Sequence, residues 1–306
     1  MERIASLLPA TTEIACALGL RERLVGRSHE CDHPPDVAAL PVLTAPRRPL
    51  EGPSGAIDAR VRELVRDGLS LYEVDAEALR ALRPDLVLTQ DQCAACAVSL
   101  DDVEAALAAW TGGAPRVVSV APWTLREVWA SIRAIADAAG VAARGAALAR
   151  ALSDRVASIG ERAAGLGARP RLACLEWLDP PMDAGHWMPE LVALAGGRSA
   201  LGASGARSRA VDVEAIEAAD PDAILLAPCG FDLPRTRREL PALLARPGFA
   251  ALRAAREGRL YAADGNAFFN RPGPRLVESL EILAEMLHPG AFAFGHEGRG
   301  WARISS

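Results

Sequence analysis

The alternation of apolar and polar positions divides the chain into two stretches of similar plan, separated by a long helical run. Short continuous apolar segments recur: Ile4 to Leu7, Leu86 to Thr89, Val117 to Val120, Leu172 to Leu175, Ala223 to Leu226 and Leu260 to Ala262. Segments with helical periodicity lie between them. Strands buried on both faces and alternating with helices predict parallel sheets covered by helices.

An internal repeat sharpens this reading. Residues 75–88 read DAEALRALRPDLVL and residues 212–225 read DVEAIEAADPDAIL. Each copy predicts a short helix capped by Asp75 or Asp212, with an acidic residue in its first turn. A Pro-Asp turn then leads into a buried strand. Between the copies, Leu125, Val128, Trp129, Ile132 and Ile135 fall on one helical face behind a Thr124–Glu127 capping box, and the pattern resumes through Leu148, Leu152, Val156 and Ile159. The expected architecture is α/β, with two Rossmann-like lobes holding parallel central sheets, joined by a long helical connector, and a ligand cleft between the lobes. The expected boundaries are 1–122 for the N-terminal lobe, 123–168 for the connector, 169–290 for the C-terminal lobe and 291–306 for a tail.

Composition narrows the function. A net charge of -5 gives no basic footprint for nucleic acid. No apolar run reaches the ~18–20 residues of a membrane span. Met1-Glu2-Arg3 runs directly into the first strand without the apolar core of a secretory signal, which points to the cytoplasm, with the periplasm as the alternative if a signal has been removed. Six cysteines in 306 residues do not form a disulfide scaffold. Nucleophile-elbow and phosphate-loop motifs are missing, so binding is favoured over catalysis.

In open parallel sheets, ligands sit beyond the carboxyl ends of the strands. That rule selects Pro9, Ala10 and Thr11 after the first strand, His29 and Glu30 after the second, and Gln92 after the strand of the first repeat. In the second lobe it selects Glu176, Trp177, His186 and Trp187, then Cys229 at the place equivalent to Gln92, then Asn266, Phe268 and Phe269. The gathering of aromatics in a chain only 5% aromatic points to a flat, apolar ligand. Cys93 and Cys96 form a C-x-x-C pair, and with Cys31 and either His29 or His33 they offer soft ligands for zinc or an iron–sulfur cluster.

Three segments carry a family resemblance: RIASLLPATTEIACALGL with LVGRSHECDHPP, LEWLDPPMDAGHWMPELVALAGG, and DGNAFFNRPGPRLVESLEILAEML. They resemble, in order, the cobalamin-binding periplasmic receptors of ABC importers, within the helical-backbone class of substrate-binding proteins. The resemblance implies a cobalamin or related corrinoid held between lobes for uptake, storage or transfer. It points to Pro9, Ala10, Thr11, the His29–Cys31 segment, Trp177, Trp187, Phe268 and Phe269 as contacts. Asn270 stands where those receptors carry an acidic residue for docking, which argues against docking on an ABC transporter. Two alternatives accompany the corrinoid reading. One is a metal or iron–sulfur site at Cys31, Cys93 and Cys96. The other is siderophore or haem binding, for which Arg207, Arg209 and Arg271 are available.

Overall fold

The structure is a computed structural model that describes residues 2–67, 69–91, 100–108, 110 and 113–304. The chain divides into two compact units, one of residues 1–52, 59–122 and 126–151, the other of residues 53–58, 123–125 and 152–306.

The first unit is built from β1 (Ile4–Ser6), α1 (Pro9–Ala17), β2 (Leu24–Arg27), β3 (Thr44–Pro46), most of α2 (Ser54–Arg66), β4 (Tyr72–Val74), α3 (Ala76–Leu82), β5 (Leu86–Gln90), α4 (Leu100–Leu107) and β6 (Arg116–Val120). Most of α5 (Leu125–Ala138) and the start of α6 (Ala142–Ala164) complete it. Its sheet runs β2-β1-β5-β6, all parallel, with β3 and β4 forming a separate antiparallel pair. Ala5, Leu7, Leu79 and Val87 are fully or almost fully buried in one cluster. The expected stripe on α5 is buried throughout, from Leu125 and Val128 to Ile132 and Ile135.

The second unit contains β7 (Arg171–Leu178), β8 (Pro181–Asp183), α7 (Met188–Leu194), β9 (Arg198–Ser199), α8 (Val213–Ala219), β10 (Ala223–Leu226), α9 (Leu233–Leu244), α10 (Arg253–Arg256), β11 (Leu260–Ala263), α11 (Leu276–Leu287) and β12 (Trp301–Arg303). Its sheet runs β12-β11-β10-β7-β8, with β9 also paired to β7. The central β7, β10 and β11 are parallel, whereas β8 and β12 are antiparallel, so the second sheet is mixed rather than purely parallel. The segment expected as a tail supplies the edge strand β12: Ala302 pairs with Ala262.

The repeat is reproduced in the fold. Asp75 accepts the N–H of Ala78 at 2.9 Å, and Asp212 accepts that of Ala215 at 2.7 Å. Both helices end on a residue in the left-handed region, Arg83 and Asp220 (φ 44° and 39°). The aspartate of each Pro-Asp turn then accepts the N–H of the arginine that opens the unit's central strand. Asp85 takes Arg3 and Asp222 takes Arg171, both at 2.7 Å. One local sequence therefore caps a helix, turns the chain and fixes strand register, twice.

Candidate functional site

In each sheet the chain reverses its winding beside the central strand, between β1 and β5 in the first unit and between β7 and β10 in the second. The residues beyond these carboxyl ends form two candidate surfaces.

In the first unit the expected helix start does not present its side chains. Ala10 and Thr11 are buried, and only Pro9 is partly exposed. The Thr11 hydroxyl lies 2.7 Å from Ser6 Oγ, Thr12 donates to the same oxygen at 2.8 Å, and Thr12 Oγ1 meets Cys31 Sγ at 3.1 Å. Three hydroxyls and a thiol thus satisfy one another beneath the strand end, as buried polar groups must. The side chains of Ala10 and Thr11 therefore belong to the core.

His29 and Glu30 do reach the rim, half-buried at the end of β2. Pairing of β3 with β4 brings Thr44 and Tyr72 beside them. Thr44 Oγ1 receives the backbone N–H of His29 at 3.1 Å and faces its Nδ1 at 2.7 Å, while donating to Ser28 Oγ at 3.1 Å. Tyr72 donates to Glu30 Oε1 at 3.2 Å, and its ring lies 5.2 Å from the imidazole. Burial, aided by the Arg27 charge and opposed by Thr44, holds the His29 pKa below the ordinary imidazole value.

Gln92, Cys93 and Cys96 lie outside the described residues. Among the described residues, no three His, Cys, Asp or Glu side chains come together as metal ligands. Cys31 is buried against Thr12, and His33 is exposed.

In the second unit, β7 extends further than the sequence suggests, so Glu176 and Trp177 lie on the strand at its irregular pairing with β8. Trp177 packs against Phe231 at 5.2 Å, and the Arg235 guanidinium sits 3.6 Å from the centre of the Phe231 ring. Cys229 is exposed, its N–H donating to the Glu176 carbonyl at 3.0 Å. Elsewhere in this unit His186 stacks on Trp123 at 5.0 Å and 28°, with Arg207 5.6 Å from the Trp123 ring. His186 adopts φ 52°, a left-handed conformation held by bonds from its N–H to Ala206 and to its carbonyl from Gly205. Such strain persists where the surroundings fix it, and it concentrates at binding sites. Burial and then the Arg207 charge lower the His186 pKa.

Trp187 and Phe269 are buried, 5% and 1% exposed. Phe268 stays at the half-buried rim, with the Arg275 guanidinium 5.5 Å from its ring. Asn266 accepts from Arg271 at 2.9 Å. Asn270 donates to the carbonyls of Ala227 and Gly265 at 3.0 and 2.9 Å. A carboxylate could not make either bond, which accounts for an amide at this position. Trp123 and Arg207 were not recognised as a pair in the sequence, because their contact joins residues 84 positions apart.

Two α/β units, each with parallel central strands and with polar and aromatic side chains at the strand ends, define a bilobal substrate-binding protein. The family model described as periplasmic binding protein matches residues 4–267, and the chain belongs to that family. Its members bind a substrate for an ABC transporter and are not enzymes. The chain is 26% identical over 296 residues to the uncharacterized ABC transporter substrate-binding lipoprotein YvrC of Bacillus subtilis (strain 168), covering 95% of this chain and 81% of the relative. Among solved structures it is similar to the apo periplasmic haem-binding protein RhuT from Roseiflexus sp. RS-1. That match has 26% identity and a TM-score of 0.70, covering 95% of this chain and 99% of the other. The periplasmic vitamin B12-binding protein BtuF of Vibrio cholerae matches in fold, with 21% identity and a TM-score of 0.67, covering 94% and 96% of the two chains.

Proposed function

We propose that the chain is the substrate-binding component of an ABC importer and that its cargo is a haem-class tetrapyrrole. The observation that carries this reading is the pairing of aromatic faces with guanidinium groups on the second unit: Trp123 and His186 with Arg207, and Trp177 and Phe231 with Arg235. A planar hydrocarbon macrocycle stacks on such rings, and its carboxylate edges pair with arginine. Haem carries both features. A corrinoid carries amides at its periphery and has less use for the cations. The similarity to a haem-binding protein at 26% identity supports the same choice.

The sequence segments that resemble cobalamin receptors favour a corrinoid as the second reading. The family and the lipoprotein relative favour a site of action outside the cytoplasm, and with it docking on a transporter, over the cytoplasmic, undocked protein expected from the N-terminus and Asn270.

Fluorescence titration of the full chain with hemin and with hemin dimethyl ester tests the proposal. Saturable quenching by hemin is expected. Arg207→Glu combined with Arg235→Glu is expected to weaken hemin about tenfold, or about 1.4 kcal/mol, and to leave the ester nearly unaffected. Equal losses for both ligands, or no hemin binding, would contradict it.

A further inference from the structure

At the carboxyl end of β11, Phe268 repeats the pairing on which the haem reading rests. Its ring is half-buried, and the Arg275 guanidinium, itself half-buried at the start of α11, sits 5.5 Å from the ring centre. Unlike Trp187 and Phe269, Phe268 keeps part of its surface open to a ligand, at the strand end where ligands of open sheets bind.

What holds this ring comes from the segment after α11. Asp264 opens the Phe268 loop and donates its N–H to the Gly300 carbonyl at 2.9 Å, while Phe268 donates its own to the Asp264 carbonyl at 3.1 Å. Gly300 donates in turn to the His296 carbonyl at 2.8 Å, closing a turn with both ends against Phe268. At one end the His296 imidazole meets the Phe268 ring edge to face, 6.1 Å between centres and 69° between planes, a favoured aromatic geometry. At the other end a Cβ on Gly300 would lie 3.2 Å from Phe268 Cε2 and 2.9 Å from Ile282 Cδ1, so the approach requires glycine.

His296 is itself fixed. Its Nε2 lies 2.9 Å from Glu281 Oε2, and its backbone N–H donates to Glu285 Oε2 at 3.2 Å. Glu281 is buried on α11, and its other oxygen accepts from Arg155. The imidazole has little freedom to turn, and the ring against it has little more. A side chain ordered before the ligand arrives need not be immobilised on binding, and affinity rises accordingly.

We propose that Phe268, with Arg275, is a further contact for the flat face and anionic edge of the bound tetrapyrrole, and that His296 is its positioning residue. This inference rests on the haem reading above. The test is a double-mutant cycle on the full-length protein, titrated with hemin. His296→Gln removes the imidazole ring and keeps a side-chain N–H for Glu281. Phe268→Leu removes the aromatic face and keeps an apolar side chain. Each is expected to weaken hemin about three- to tenfold, and the double variant no more than Phe268→Leu alone. At saturating hemin both single variants are expected to change the Soret circular dichroism in the same way, which a general loss of stability would not do. Gly300→Ala, pressing on the ring from its other side, is expected to give a loss that likewise vanishes in the Phe268→Leu background. Additive losses, or hemin affinity and Soret signal indifferent to Phe268→Leu, would overturn the inference alone. Failure of the wild-type protein to bind hemin would overturn the haem reading and the inference together.

Discussion

The indole Nε1 of Trp187 donates to the backbone carbonyl of Phe269 at 2.7 Å, tying the start of α7 to the loop before α11. Both residues are buried, and Phe269 is held at φ 64° with its N–H bonded to Ser279 Oγ at 3.0 Å. Trp187→Phe keeps an aromatic ring but leaves that carbonyl without its donor. The expected loss is about 1–3 kcal/mol of stability, read by calorimetry, with hemin affinity unchanged. Unchanged stability with lost affinity would return Trp187 to the ligand face.

His186 makes stability depend on pH. Its folded pKa lies below the ordinary imidazole value, so the unfolded chain takes up a proton first as the solution is acidified. The stability associated with this residue is complete above about pH 6.5 and is lost as the pH falls through that value toward the folded pKa. His186→Asn tolerates the left-handed backbone and removes the titration. The variant should show a flatter melting temperature between about pH 7 and 5 than the wild-type protein. Parallel pH profiles would refute this.

Glu285 anchors the last strand. Its buried carboxylate accepts the N–H groups of Phe294, Gly295 and His296 and the Trp301 indole N–H, the last at 3.0 Å. Glu285→Ala should cost on the order of 3 kcal/mol and speed amide exchange across residues 294–303. Exchange that remains at the wild-type rate would show that β12 is held by its pairing alone.

The described cysteines should separate by reactivity. Burial pushes the Cys174 thiol up to about 12 and the Cys16 thiol to about 11, whereas Cys229 is exposed. Native alkylation followed by peptide mapping should label Cys229 and spare Cys174 until the protein is denatured. Labelling of Cys174 at the rate of Cys229 would contradict its burial.

The parts of the fold written in local sequence were legible. The Asp75 and Asp212 caps, the Pro-Asp turns and the strands after them each depend on a few adjacent residues. The antiparallel β8 and β12 were not, because Pro181-Met182-Asp183 and Trp301-Ala302-Arg303 each end on a charge and form no continuous apolar run. The strand-end rule located the candidate surfaces but not the side-chain directions. Thr11 turns inward because Ser6 offers a hydroxyl and Leu8 a carbonyl there, and Trp187 because Phe269 offers a carbonyl. Neither partner is visible before the chain is folded. Likewise, His29 was selected by position, but its Nδ1 contact with Thr44, 15 residues away, forms only in the fold.

Cargo is tested most directly by incubating the full-length protein with equal concentrations of hemin and cyanocobalamin, desalting, and recording the absorption spectrum. The haem reading predicts retained haem bands and no corrinoid bands. Retained corrinoid with haem in the flow-through would contradict it and would make the corrinoid reading the correct one.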